Sequence, residues 1–587
     1  MSWRLRTDPS GFATRWSDDA AAAYRGAGHW RDETLADVAR RACRDAPDRL
    51  LLIEGDRRVT RAEAWDAASR LAAFFRSRGL KPGDVVSFQL PNWIEAAVIA
   101  LAARRCGLVL NPIPPIYRES EVGYIVQDCR AKLIFVPQVF RKHNHQRMIE
   151  GLRSQLPSLQ DIVVVRGDGA AGWDWRHALS LAPAPDDTLH ATDPAAAMVV
   201  MYTSGTTGRP KGVIHNHYAF DYRVRSMRDA WAIGPSDVVF MPSPVTHITG
   251  AYWAFDMPWV SGATSVLMDV WSADQGIDCI EKNRCTVTGG ATPFLRQLLD
   301  TAARRPTAMG PAVGVGSAGP LPVGSLRTSK SDRVLRSLRL FFCGGTTVSA
   351  DLIREAAAAY PHCLFFRAYG STEMPTTTLG IRDRAHADLG AETDGEVVPP
   401  TEVKIVDASS GATVGDGEEG EILVRGPEQF VGYLHPDDNV GGFDEDGYFR
   451  MGDLGRRVHG RYLVITGRKK DIIIRSGENI SPKEVEDVLA THAAIAEVAI
   501  VAMPSRETGE KGCAFVVLRA GQAIDLVEIR RFLECAGLAR QKFPEHLVTV
   551  DELPRVPSGK VSKEVLRARA KAIAEGGEPT RGLKSTP

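Results

Sequence analysis

The chain is 587 residues long, with 44% apolar and 25% charged residues, which supplies ample material for a globular core and excludes gross disorder. Lysine plus arginine and aspartate plus glutamate stand at 72 each, so no global field draws in nucleic acid or an anionic membrane, and any anion site must be local. At ordinary domain sizes this length holds about two to four folding units, one of them large.

The nine cysteines contain no CxxC pair and leave one over if paired, which points to reduced thiols and a cytoplasmic protein. Met1-Ser-Trp-Arg-Leu-Arg opens the chain without an apolar stretch of signal-peptide length. The best membrane candidate, Ala96 to Ala103, stops at Arg104 and Arg105, short of the roughly 20 apolar residues that span a bilayer. A soluble protein without a membrane span is expected.

From about Leu35 to Val136, helical stretches alternate with short apolar runs: Arg61 to Arg78, Val85 to Leu90, Trp93 to Arg104. Gly79-Leu80-Lys81-Pro82-Gly83-Asp84 punctuates a helix-to-strand turn, and the rhythm predicts parallel strands linked by helices. Strand-like runs recur at Ala197 to Tyr202, Val238 to Met241, Thr264 to Met268, Thr286 to Thr288, Leu338 to Cys343 and Leu364 to Tyr369. Pro306 to Ser331 is rich in glycine, proline and serine and predicts a mobile surface loop. Glu402 to Arg425 turns to short β-branched runs, predicting hairpins or a small barrel. After Arg468 comes a small α+β unit: a strand at Ile472 to Ile474, a helix from Pro482, strands at Val498 to Ala502 and Ala514 to Leu518, and a basic helix from Val561 to Ala574. Ser481 as N-cap and Glu484 predict a capping box for the first of these helices.

Directly after an apolar strand stands Tyr202-Thr203-Ser204-Gly205-Thr206-Thr207-Gly208-Arg209-Pro210-Lys211-Gly212. It reads as a phosphate cradle: glycines admit a polyanion close to the backbone, hydroxyls and N–H groups donate to its oxygens, and Lys211 adds charge. The spacing is not that of a Walker A loop, and on composition alone a flexible Ser/Thr/Gly turn competes with this reading.

Together with Tyr369-Gly370-Ser371-Thr372-Glu373, this loop resembles the signature of the adenylate-forming superfamily of acyl-CoA synthetases, peptide-synthetase adenylation domains and firefly luciferase. The resemblance continues in order through Glu419-Gly420-Glu421-Ile422, Tyr448-Phe449-Arg450-Met451-Gly452-Asp453, Gly467-Arg468-Lys469-Lys470-Asp471, Ser476-Gly477-Glu478-Asn479-Ile480 and Pro557-Ser558-Gly559-Lys560. It covers about Ala36 to Arg567. It implies a large α/β N-terminal domain with a small β-barrel-like subdomain over 1–469, a mobile α+β domain over 470–574 that carries the catalytic lysine, and a disordered tail over 575–587.

The implied reaction is attack of a carboxylate on the α-phosphate of ATP, loss of pyrophosphate, then thioester formation with coenzyme A. An acceptor-only carboxylate such as Glu373 suits Mg²⁺, which bridges phosphate oxygens; the resemblance adds Thr206 to the metal site. The resemblance assigns the flat face of Tyr369 to adenine, flanked by Gly344, Gly345 and Thr346. By the same resemblance Asp453 accepts from both ribose hydroxyls and Arg468 donates to ribose or phosphate, roles that a two-oxygen acceptor and a guanidinium donor can fill. The resemblance carries over the remaining roles: Lys560 to the α-phosphate and substrate carboxylate, Lys470 to the hinge, Ser476 and Gly477 to the coenzyme A tunnel, and His247 to the neighbourhood of the reacting carboxylate.

Peptide-synthetase adenylation domains usually place an acidic residue near the His247 position to hold an amino group; none lies between Pro242 and Tyr252, so the resemblance implies an acid without an α-ammonium. Pro91-Asn92-Trp93 and Ser243-Pro244-Val245-Thr246-His247 are most similar in look to cyclohexanecarboxylate-type and medium-chain acyl-CoA ligases, which implies a medium-chain, alicyclic or aromatic acid. Three departures from the family pattern are the 306–331 loop, Thr393 to Pro399 in place of a Gly-x-x-Gly-x-Pro turn, and Val556 where threonine is common. Two other functions stay open: transfer of the acyl group to a separate carrier protein, and a non-catalytic nucleotide-binding homologue. A homodimer is one of the assembly states left open.

Overall fold

The computed structural model describes residues 2–167, 173–185, 191–203, 209–305, 334–345, 348–407, 410–475, 478–505, 507–556 and 559–576. Residues 306–331 and the tail beyond 576 lie outside these. The chain divides into two compact units, Met1–Ala391 with Pro427–Asn439, and Glu392–Gly426 with Val440–Pro587. The Glu402 to Arg425 segment is thereby grouped with the C-terminal chain.

The first unit holds two large sheets. One runs Leu364–Ala368, Leu340–Gly344, Val287–Gly290, Val238–Met241, Thr264–Leu267, Leu50–Glu54, Arg57–Thr60, parallel throughout except for its last pair. The other runs Trp173–Asp174, Asp161–Val165, Leu133–Pro137, Val85–Phe88, Val109–Pro112, Ala197–Thr203, Lys211–Asn216, Gly432–Tyr433, and only its last two pairings are antiparallel. Parallel strands buried on both faces read as unbroken apolar runs, and every residue of Leu133–Pro137 and Asp161–Val165 is buried. The alternating α/β rhythm of the sequence is this architecture.

The helix Ile94–Arg105 touches Val109–Pro112 in one sheet and Leu50–Glu54 in the other, and it is buried on every side. That placement accounts for its all-round apolar composition, which otherwise reads as a truncated membrane segment. Its terminal Arg104 pairs with the buried Asp256 at 2.5 Å. Among the described residues no helix is long and apolar enough to cross a membrane.

The second unit contains an antiparallel sheet of Glu402–Val406, Gly420–Arg425, Phe449–Val458 and Tyr462–Arg468. The predicted hairpins take this four-stranded form. A further sheet runs Glu478–Ile480, Ile473–Arg475, Gly509–Leu518, Ile495–Ser505, with His546–Thr549 parallel to Gly509–Leu518. Strand alternation splits its core in two: Ile500, Ala514 and Val516 pack with Val485, Leu489, Ile529 and Leu533, while Ala499, Val501 and Phe515 pack with Leu566 and Ala570 of the final helix, Lys563–Ala574.

One local expectation fails. The helix Pro482–Leu489 does start with proline in its first turn, but Ser481 makes no capping bond. Its hydroxyl donates instead to the Thr466 carbonyl at 2.6 Å, and Glu484 pairs with Lys542 at 2.7 Å. A tertiary acceptor on the neighbouring Tyr462–Arg468 strand outcompetes the local one.

Candidate active site

In the seven-stranded sheet, Leu364–Ala368, Leu340–Gly344, Val287–Gly290 and Val238–Met241 are parallel neighbours, so their carboxyl ends share one edge. Ligands of open α/β sheets bind outside such an edge. The segments that leave it are Tyr369 to Glu373, Gly344-Gly345, Gly290-Ala291 and Pro242 to Gly250, so three of the predicted site segments are gathered by strand order alone. At Gly344 a Cβ would lie 2.3 Å from the Ala368 carbonyl oxygen, so the two strands close up only because glycine stands there. Thr346 lies outside the described residues.

The Tyr369 to Glu373 turn is held at both ends. The Tyr369 N–H donates to Thr378 Oγ1 at 2.8 Å, the Thr378 N–H returns to the Tyr369 carbonyl at 3.1 Å, and Ser371 Oγ accepts from the Met374 N–H at 3.2 Å. The Thr372 carbonyl accepts from Nε2 of the buried His215 at 2.7 Å. Burial pushes the His215 imidazole down to about 4, so it is neutral at physiological pH and donates from one nitrogen.

Glu373 is half-buried, and its position is set by the segment after Pro427. Its carbonyl accepts the Phe430 N–H at 2.9 Å, and its Oε1 accepts the Tyr433 hydroxyl at 2.9 Å. Burial, then the neighbouring carboxylate, push the Tyr433 phenol well above its ordinary value, so it remains a donor. No sequence motif marks Tyr433; its role emerges only because Gly432–Tyr433 pairs with Lys211–Asn216 at the sheet edge.

Ser204, Gly205, Thr206, Thr207 and Gly208 lie outside the described residues, but both roots of their loop are described. Thr203 and Lys211 face each other in the antiparallel register. Lys211 Nζ sits 3.4 Å from Asp438 and 5.1 Å from the centre of the Tyr433 ring. Lys211, Tyr433 and Glu373 thus form one contiguous group, with the predicted phosphate cation presently balanced by Asp438.

His247 is half-buried and heads the short helix Ile248–Ala251. The turn before it is shaped by Asn92, which is buried: its amide donates to the Met241 and Ser243 carbonyls at 3.3 and 2.9 Å and its oxygen accepts the Val245 N–H at 2.8 Å. In the sequence Asn92 is marked only by its place in the family-like segment Pro91-Asn92-Trp93. Beyond Ala251 the run continues as a π-helical turn, Tyr252–Asp256, and the buried hydroxyls of Thr246 and Tyr252 have no hydrogen-bond partner among the described residues.

In the second unit, Asp453 and Arg468 are register partners, and Arg468 Nε lies 3.1 Å from the buried carboxylate of Asp453. Lys470 lies on the turn Lys469–Asp471, where Asp471 is tied to Arg567 at 2.7 Å. Ser476 and Gly477 lie outside the described residues. Lys560 is half-buried, with its carbonyl accepting the Val556 N–H at 2.8 Å and the Gly559 carbonyl accepting from Arg555 at 2.8 Å.

A family model described as "AMP-binding enzyme" matches residues 39–434, and one described as "AMP-binding enzyme C-terminal domain" matches 484–560. A medium-chain fatty-acid–CoA ligase of Escherichia coli (strain K12) is 36% identical over 94% of this chain and 93% of its own length. A salicyl-AMP ligase / salicyl-S-ArCP synthetase of Mycobacterium tuberculosis is 31% identical over 95% and 94%. The crystal structure of ATP-bound MatB from Rhodopseudomonas palustris superposes with a TM-score of 0.77 at 27% identity, covering 92% of this chain and 99% of that one. This chain is an enzyme and belongs to the AMP-binding, adenylate-forming ligase family.

Proposed function

We propose that this enzyme activates a carboxylic acid lacking an α-ammonium and transfers it to coenzyme A. In the first step a carboxylate oxygen attacks the α-phosphorus of ATP, the bond to the bridging oxygen breaks, and pyrophosphate leaves with the electron pair. In the second, the coenzyme A thiol loses its proton, attacks the acyl carbon and expels AMP. The observation that carries this reading is the group Lys211, Tyr433 and Glu373 beside the carboxyl-end edge that bears Tyr369 and Gly344-Gly345.

Each residue has a physical task in that scheme. Lys211 offsets phosphate charge once it exchanges Asp438 for the nucleotide. Glu373 is an oxygen donor with one of its oxygens engaged by Tyr433, a donor set that fits a hard divalent cation completed by phosphate oxygens and water. Such a cation, when bound, would neutralise phosphate charge. Tyr369 supports adenine, Asp453 and Arg468 hold the ribose, and Lys560 stabilises charge on the α-phosphate. The chain from Lys470 to 574 is the part that moves between the two steps, with Lys470 at the hinge.

The acid is proposed to be medium-chain, alicyclic or aromatic, supported by the name of the Escherichia coli relative and by the absence of acidic residues between Pro242 and Tyr252. Delivery to a carrier protein is the second reading, favoured by the name of the Mycobacterium tuberculosis relative. The deciding experiment measures pyrophosphate release over a panel of acids, then thioester formation with coenzyme A. An acyl-adenylate that forms but never reaches coenzyme A refutes the first reading in favour of the second.

A further inference from the structure

Asp128 is the last residue of the helix Glu119–Asp128. A carboxylate there faces the negative end of the helix dipole, and aspartate is a poor helix former. The residue is therefore held for something other than the helix. Its side chain is 10% exposed, and each oxygen has a partner from far away in the chain. Oδ2 accepts the Tyr202 hydroxyl at 2.6 Å across 74 residues, and Oδ1 lies 2.7 Å from His435 Nε2 across 307. An ionised carboxylate only accepts, so the proton of that second bond sits on His435 Nε2.

Both partners lead straight to the candidate site. Tyr202 precedes Thr203, the last described residue before the phosphate loop, and burial keeps its phenol protonated and donating. His435 stands two residues after Tyr433, the donor to Glu373, and the Leu434 N–H between them bonds to the Gly212 carbonyl at 2.7 Å. One helix turn above Asp128, the Tyr124 hydroxyl donates to the Pro210 carbonyl at 3.2 Å, at the other root of the same loop.

We propose that Asp128 is a positioning residue for the nucleotide: by holding Tyr202 with one oxygen and His435 with the other, it fixes the strand ending at Thr203 against the segment whose Tyr433 orients Glu373. The proposal rests on the adenylating function set out above. It requires no contact between Asp128 and substrate.

The test compares Asp128→Ala, Asp128→Asn, Tyr202→Phe and His435→Gln. The readouts are ATP affinity by calorimetry without acid, KM for ATP, KM for the acid, and thermal midpoint. Asp128→Ala is expected to weaken ATP binding and raise KM for ATP by about tenfold, with KM for the acid within about twofold, since two bonds to a charged acceptor are lost. Tyr202→Phe and His435→Gln each give about threefold, and Asp128→Asn, which still accepts from Tyr202, recovers part of the loss. The double variant Asp128→Ala/Tyr202→Phe is no weaker than Asp128→Ala, because the shared bond is already gone. Equal rises in both KM values, or a folded Asp128→Ala with unchanged ATP affinity, overturn the proposal. If Asp128→Ala does not fold, unchanged ATP affinity in both Tyr202→Phe and His435→Gln overturns it. A wild-type protein that binds no ATP refutes the adenylating function itself.

Discussion

Tyr433→Phe isolates one bond in the site. The substitution keeps the ring that lies 5.1 Å from Lys211 Nζ and deletes only the hydroxyl that donates to Glu373 Oε1 at 2.9 Å. A hydrogen bond to a charged group contributes about 1.5–3 kcal/mol. Glu373 is half-buried, so water replaces part of the loss, and about 1.4 kcal/mol remains, a tenfold change in a binding constant. The half-saturating concentration of magnesium–ATP is therefore expected to rise about tenfold in a pyrophosphate-release assay at saturating acid. KM for the acid should be unchanged, and stability should shift by about 1 kcal/mol or less, because the removed hydroxyl takes its own desolvation cost with it. An unchanged half-saturation refutes the reasoning because the bond then orients nothing, and a lowered one refutes it because the phenol then competes with the cation for Glu373.

Three further outcomes follow from the same structure. At Gly370 a Cβ would meet the Thr376 nitrogen at 2.4 Å and the Met374 carbonyl oxygen at 2.8 Å, both backbone, so Gly370→Ala should cost about 1–3 kcal/mol in urea unfolding and raise KM for ATP. Lys560→Ala should lower acyl-adenylate formation by about 100-fold or more while leaving the melting midpoint in place, because its half-buried side chain is assigned to charge stabilisation, not packing. Burial pushes His215 down to about 4, and burial followed by Arg104 pushes His217 down to about 3, from an ordinary 6.5. Between those values the unfolded chain takes up protons that the folded one refuses, so stability falls as pH drops below 6.5, by about 2 kcal/mol per histidine at pH 5. His215→Gln should show a shallower loss between pH 7 and pH 5 in urea titrations, and an unaltered loss would contradict its neutral buried state.

What the sequence disclosed and what it withheld differ in kind. Strands such as Val238–Met241 and Leu340–Gly344 were legible because parallel strands buried on both faces require unbroken apolar runs. Glu373 and Lys211 were legible because they sit in ordered motifs. Tyr433, Asp128 and Asn92 were not, since each acts through partners 60, 307 and 153 residues away, and no local pattern distinguishes such a residue from an ordinary tyrosine, helix-end aspartate or turn asparagine. The capping box at Ser481 misled for the converse reason. A local rule held in the sequence while the Thr466 carbonyl, 15 residues earlier, took the hydroxyl.

The shared carboxyl-end edge of the seven-stranded sheet has a consequence for how such an enzyme diversifies. Val239, Phe240, Val287, Phe341 and Phe366 are buried and carry the sheet, whereas the segments that leave the same strands are the ones proposed to recognise acid and nucleotide. Ile248 and Thr249 are only half-buried, so exchanges there are expected to disturb the strands beneath them little. New acid preferences are thus open to drift at the rim while the fold beneath stays constant.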